Sequence, residues 1–119
     1  VFQIIFNDIS AAEMSKLPKE LQLEVLSEFH VMPEDFKSQQ SEKFGVLNRE
    51  GKTYYRFRAK DYRIYFEKEE SKIIIHRVLN KNTLKDFLFR SKLPLGEDEA
   101  LQQDPNFWRL LDEVNSKKE

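Results

Sequence analysis

Five side chains suited to handling phosphate and nucleobases fall close together in this chain: Tyr54, Arg56, Arg58, Arg63 and Tyr65. They lie in TYYRFRAKDYRIYFEKEESKIIIHRVL, residues 53–79. A guanidinium presents a planar fork of N–H donors that matches two phosphate oxygens, and a tyrosine ring stacks on an unpaired base. Whether the five can cooperate depends on the backbone. Side chains alternate across a strand, so strands over TYYRFRA and YRIYFE put Tyr54, Arg56 and Arg58 on one face, joined there by Arg63 and Tyr65. Tyr55, Phe57, Ala59, Tyr62, Ile64 and Phe66 then form the apolar face. The plainer alternative makes the arginines ordinary solvent-side residues paired with Glu67 or Glu69.

Little else in the sequence suggests chemistry. His30 and His76 are far apart and in no metal-ligand spacing, and the absence of cysteine removes thiolate ligands, thiol nucleophiles and disulfides. There is no phosphate-binding glycine loop and no nucleophile elbow, so neither a cofactor nor a metal is expected. Glu69-Glu70 and Asp112-Glu113 read as turn and helix-surface charge, and Phe107 and Trp108 as packing anchors.

The elements that must position the arginines follow from periodicity. Aromatic and β-branched residues at period two, broken at Lys60-Asp61 and at Lys68–Ser71, predict three successive antiparallel strands, the third over KIIIHRVL. Val1 to Asn7 predicts a first strand. Ser10 with Glu13 fits a capping box, for a short helix to about Leu17. Pro18 suits a first helical position and opens a second helix to about His30, with Leu21, Val25, Leu26 and Phe29 as its apolar stripe and Glu20, Glu24 and Glu28 on a solvated face. Phe44–Leu47 reads as a short strand, and Gly51 marks a turn. A short helix is expected over Leu84–Lys92, with Leu84, Phe87 and Leu88 inward. Pro94 to Asp104 reads as a linker, and Asp104-Pro105 as the start of a final helix to Val114. The expected fold is α+β: a small antiparallel sheet with helices packed on one face, in the order β-α-α-β-β-β-α, plus a C-terminal tail helix. Residues 1–92 would form the domain and 93–119 an acidic linker and amphipathic helix.

Charge is partitioned along the chain. The formal net charge is −1, yet residues 46–92 carry thirteen Lys/Arg against six Asp/Glu, whereas 1–45 carry four against eight and 93–119 three against seven. A basic middle between acidic ends suits an anionic partner. No apolar run approaches the roughly 20 residues of a membrane span, and VFQIIFND reads as a strand rather than a targeting segment. A cytoplasmic protein without a membrane partner is expected.

YYRFRAKDYRIYFEKEESKIIIHRVLNK resembles the RelE/ParE toxin superfamily: an aromatic-basic-apolar-basic strand, a short turn, a Tyr-Arg-apolar strand, a third apolar strand and a basic turn. The resemblance is specific over 54–81 and topological before that. It implies binding to RNA or the ribosome, an antitoxin or other protein partner, and, in cleaving members, metal-independent endoribonuclease activity on messenger RNA in the ribosome. Gyrase-directed members share the fold without that chemistry. By motif, Arg56, Arg58, Arg63 and Lys81 match the family's catalytic basic residues, and Lys52, Tyr54, Tyr65 and Lys85 complete the expected RNA-binding set. Cleaving members carry a tyrosine about six residues after the basic turn, where this chain has Phe87. Arginine is too basic to serve readily as a proton acceptor, and phenylalanine cannot transfer a proton at all. Loss of one such group costs roughly 10²–10⁴ in rate, unless Tyr54, Tyr65 or His76 takes over. A non-catalytic binder is therefore the alternative. The acidic tail is a second departure, expected either to mask the basic face or to cover apolar surface elsewhere.

Overall fold

The computed structural model describes residues 2–36, 43–49, 51–90 and 96–111. Five strands are built from the alternating runs: β1 (Gln3–Phe6), β2 (Phe44–Arg49), β3 (Lys52–Ala59), β4 (Tyr62–Glu69) and β5 (Lys72–Asn80). They form one sheet in the order β1-β5-β4-β3-β2. The last four make an antiparallel meander, and β1 closes the sheet by lying parallel to β5. The meander turns are tight. Gly51 takes a φ of 82°, and Lys60 and Glu70 enter the left-handed region at 54° and 52°, a conformation that costs a side chain with a Cβ more than it costs glycine. A register shift between Tyr65 and Phe66 pairs Tyr65 with Arg77 and Phe66 with Ile75. His76 is left as the extra residue of a bulge.

Helix α1 (Asp8–Ser15) starts three residues earlier than the capping box predicts. Asn7 is its N-cap and accepts a hydrogen bond from the Ser10 backbone N–H at 2.8 Å. Ser10 instead donates its hydroxyl to the Ile75 carbonyl at 2.8 Å, tying the helix to β5. Helix α2 (Lys19–Glu28) follows with Pro18 as N-cap, and a single 3-10 turn covers Pro33–Phe36. Helix α3 (Lys81–Arg90) begins directly from β5; Leu84 is buried, while the Phe87 and Leu88 side chains lie outside the described part. Residues 97–102, expected as linker, form helix α4 (Glu97–Gln102), and α5 (Pro105–Leu111) starts at the Asp104-Pro105 signal. The remainder of the expected final helix, to Val114, lies outside the described residues.

The α+β fold class and the element order are as the alternation predicts, and the sheet has a hydrophobic cluster on each face. On one, Met14, Val25 and Phe29 from α1, α2 and the residue after α2 pack on Phe57, Ile64, Phe66, Ile73 and Ile75. Edge-to-face ring contacts of Phe29 with Phe57 at 5.1 Å and with Phe66 at 5.5 Å help to order this layer. On the other, Leu101, Phe107, Trp108 and Leu111 from α4 and α5 pack on Leu47, Tyr54, Tyr65, Leu79 and Leu84. The tail therefore lies on the face that carries the arginines.

Candidate functional site

Strands β3 and β4 place Tyr54, Arg56, Arg58, Arg63 and Tyr65 on a common face, with Arg56 opposite Tyr65 and Arg58 opposite Arg63. The alternation argument holds, but the face is not open. Tyr54 and Tyr65 are fully buried, and Arg56 and Arg63 are 3% and 7% exposed. Helix α4 covers them, and its first turn supplies the counter-charges. Arg56 grips Asp98 with both edges of its fork, Nε to Oδ1 at 3.1 Å and Nη2 to Oδ2 at 2.7 Å. Arg63 donates from Nε to Glu97 Oε2 at 3.1 Å and from Nη1 to the Lys60 and Tyr62 carbonyls at 3.3 Å. Arg58 approaches the same Glu97 oxygen at 3.6 Å and keeps 29% of its side chain in solvent. Three guanidiniums thus converge on two carboxylates.

Gly45 makes this approach possible. It lies opposite Arg56 on β2, and a Cβ there would run into Asp98 Oδ2 and sit 2.5 Å from Arg56 Nη2. Two further residues secure the tail. Arg77 donates to Glu13 Oε2 from Nε at 2.9 Å and from Nη2 at 2.6 Å, and from Nη1 to the Leu110 carbonyl of α5 at 3.2 Å. The other Glu13 oxygen accepts the Val78 backbone N–H at 2.8 Å, so one carboxylate links α1 and β5 while Arg77 reaches the last helix. The Trp108 indole donates to the Gln102 carbonyl at 2.6 Å and joins α5 to α4.

Tyr65 lies beneath the ion pairs. Its hydroxyl is buried and has no hydrogen-bond partner among the described residues. Burial first, then the nearby Glu97 and Asp98 carboxylates, push its ionisation well above the usual phenol range; Arg56 and Arg63 oppose that shift without cancelling it. A neutral, enclosed phenol is a poor proton acceptor. His76 is also largely buried, with Nε2 2.7 Å from Glu67 Oε1 and its ring edge-on to Tyr54 at 5.0 Å.

The other basic residues divide between the two ends of the sheet. Lys81 pairs with Asp61 at 3.2 Å and keeps 47% of its side chain exposed, and Lys85 stands one helical turn on, also exposed. With Arg58 they rim the end of the sheet at the Lys60-Asp61 turn. Lys52 begins β3, and six residues of strand set it about 20 Å from Arg58, away from the others. Among the described residues, Glu97, Asp98 and Glu13 meet the arginines, and Glu67 meets His76. Sequence reasoning gave Gly45, Glu97 and Asp98 no role at this face and read Glu13 as a helix cap. Gly96 followed by Glu97-Asp98-Glu99 is a helix-start signal, since acidic residues favour a first helical turn.

Among the described residues no group of three or more His, Asp or Glu side chains is arranged to hold a metal ion, and no helix is long and apolar enough to cross a membrane. No protein-family model and no curated protein matches the chain. Among solved structures, it is similar to the crystal structure of a RelB–RelE antitoxin–toxin complex from Methanococcus jannaschii. The identity is 22% over 70% of this chain and 96% of that one, with a TM-score of 0.44.

Proposed function

We propose that this chain is a RelE/ParE-like binding module for RNA or the ribosome, with its arginine face closed by its own helix α4. The carrying observation is the two-bonded Arg56–Asp98 pair, buried at 4% and 13% side-chain exposure. A phosphate reaching Arg56 must displace a carboxylate that is held by two charge-assisted bonds and backed by the buried Leu101, Phe107, Trp108 and Leu111. With Tyr54 and Tyr65 enclosed, neither ring is available for stacking and neither hydroxyl for proton transfer. The resemblance over 54–81 supplies the target class, and the exposed rim of Arg58, Lys81 and Lys85 supplies the contact. These residues act through charge, without a catalytic step.

A ribosome-dependent endoribonuclease using Arg56, Arg58, Arg63 and Lys81 is the second reading. It is favoured by the convergence of three guanidiniums on Glu97 and Asp98, an arrangement suited to an anion if the first turn of α4 gives way. Pelleting with ribosomes separates the two from an unrelated role. Under the binding-module reading the intact chain pellets, Lys81→Ala with Lys85→Ala weakens pelleting and flattens its salt dependence, and messenger RNA stays whole. Failure to bind ribosomes or RNA at low salt would remove the proposal.

A further inference from the structure

The sheet ends at β1, and the outer side of that strand has no partner among the described residues. Gln3 donates its backbone N–H to the Ser71 carbonyl at 2.9 Å and Asn7 to the Ile75 carbonyl at 3.3 Å. Residues 3, 5 and 7 therefore turn their backbone groups toward β5, and Phe2, Ile4 and Phe6 turn theirs outward. Edge strands are usually protected by charge, proline or a bulge. Phe2-Gln3-Ile4-Ile5-Phe6 has none of these. Beside it, on the α2 face of the sheet, Phe2, Ile4, Phe29, Met32, Pro33 and Ile73 line a groove of about 310 Å³. Ile4 is 44% and Met32 54% exposed, an unusual outlay of apolar surface around an unpaired backbone.

We infer that the chain forms a two-fold symmetric dimer in which β1 pairs antiparallel with β1 of a second copy. The strand is complementary to itself. A two-fold axis at Ile4 places Ile4 opposite the partner subunit's Ile4 and Phe2 opposite the partner subunit's Phe6. All of these carry outward backbone groups, so they meet as hydrogen-bonded pairs, as an isologous interface requires. No charge is brought against a like charge along the strand. At its ends the charges are complementary. The Lys68 ammonium sits 5.8 Å from the centre of the Phe2 ring, at the start of β1, and Asp8 is exposed just beyond its end. The symmetry axis brings the Asp8 end of one copy toward the Lys68 end of the other, twice. The two apolar grooves meet across the axis, so Ile4 and Met32 lose the solvent they face in the single chain. The dimer leaves the arginine face untouched and stands independently of what that face binds.

Sedimentation or light scattering across a dilution series tests this, with the whole chain and an Ile4→Lys variant. The intact chain should have twice the 14.3 kDa chain mass at the concentrated end, and Ile4→Lys the single-chain mass throughout. A single-chain mass for the intact protein at every concentration, or a dimer that Ile4→Lys leaves intact, would overturn the inference. Should Ile4→Lys not fold, hydrogen exchange on the unaltered protein decides. The Ile4 and Phe6 amides should be protected at high concentration and lose protection on dilution, and exchange at the free-amide rate throughout would refute the pairing.

Discussion

Arg56 and Asp98 are 42 residues apart in sequence and meet through two parallel hydrogen bonds of 3.1 and 2.7 Å beneath helix α4. This pair turns a cationic sheet face into the floor of an interior. A buried ion pair contributes little net stability over apolar residues of the same size, but removing one partner strands the other charge. Asp98→Ala is therefore expected to destabilise the chain by about 3 kcal/mol, read from urea unfolding. Arg56→Met combined with Asp98→Leu should cost much less than Asp98→Ala alone, since neither charge is left buried. A double variant at least as unstable as the single one would show that the pair is not closed off as described.

Gly45 tests the same contact from below. Its missing Cβ leaves the room that Asp98 and Arg56 occupy. Gly45→Ala should force the pair apart and cost about 1–3 kcal/mol, the usual range for overpacking. The same substitution at Gly96, where a Cβ meets nothing within 4 Å, should cost less. Equal effects at both positions would argue against close packing of α4 on β2.

Tyr65 carries a pH signature. Its folded ionisation is raised above that of the unfolded chain, near 10. The neutral phenol thus contributes stability that is complete below about pH 10 and is lost progressively as pH rises toward the folded value, because the unfolded chain releases its proton first. Lys60 has the same sign: Glu28 first, then Glu24, raises its ionisation. Thermal melts should therefore fall above about pH 10, and Tyr65→Phe should reduce that fall without abolishing it. At neutral pH, Tyr65→Phe should be neutral or slightly stabilising, since its buried hydroxyl has no partner among the described residues. A loss above about 1 kcal/mol would mean that the hydroxyl is bonded.

The last helix is core. Phe107 and Leu111 are fully buried against the sheet, and Phe107 meets the Tyr65 ring edge-on at 5.1 Å. Phe107→Ala should cost about 3–5 kcal/mol, as large a loss as truncating Phe66 on the opposite face. A loss below about 1 kcal/mol would instead mark the tail as a detachable flap.

The strands and the shared arginine face were legible because alternation of aromatic, β-branched and basic residues leaves a consistent pleat along Lys52–Ala59 and across to Arg63 and Tyr65 on β4; the bulge at His76 was not foreseen. The parallel placing of β1 was not, because its uncharged run specifies burial without specifying a neighbour. The closed state of the face was hidden by Glu97-Asp98-Glu99, which as composition resembles a solvated linker. What distinguishes it is long-range: Arg56 and Arg63 need counter-charges once buried, and nothing local reveals which acidic cluster returns to them. Glu13 was misread for a related reason. Its spacing from Ser10 fits a cap, but Arg77 and the Val78 N–H offer its carboxylate a stronger, partly buried site.

The closed arginine face is tested most directly by messenger RNA cleavage on programmed ribosomes, with ribosome pelleting followed in the same samples. The account predicts that the intact chain pellets with ribosomes and leaves the message uncut. Cleavage by the intact chain that Arg63→Ala abolishes would contradict it, because Arg63 could then not be held by Glu97 in the working protein.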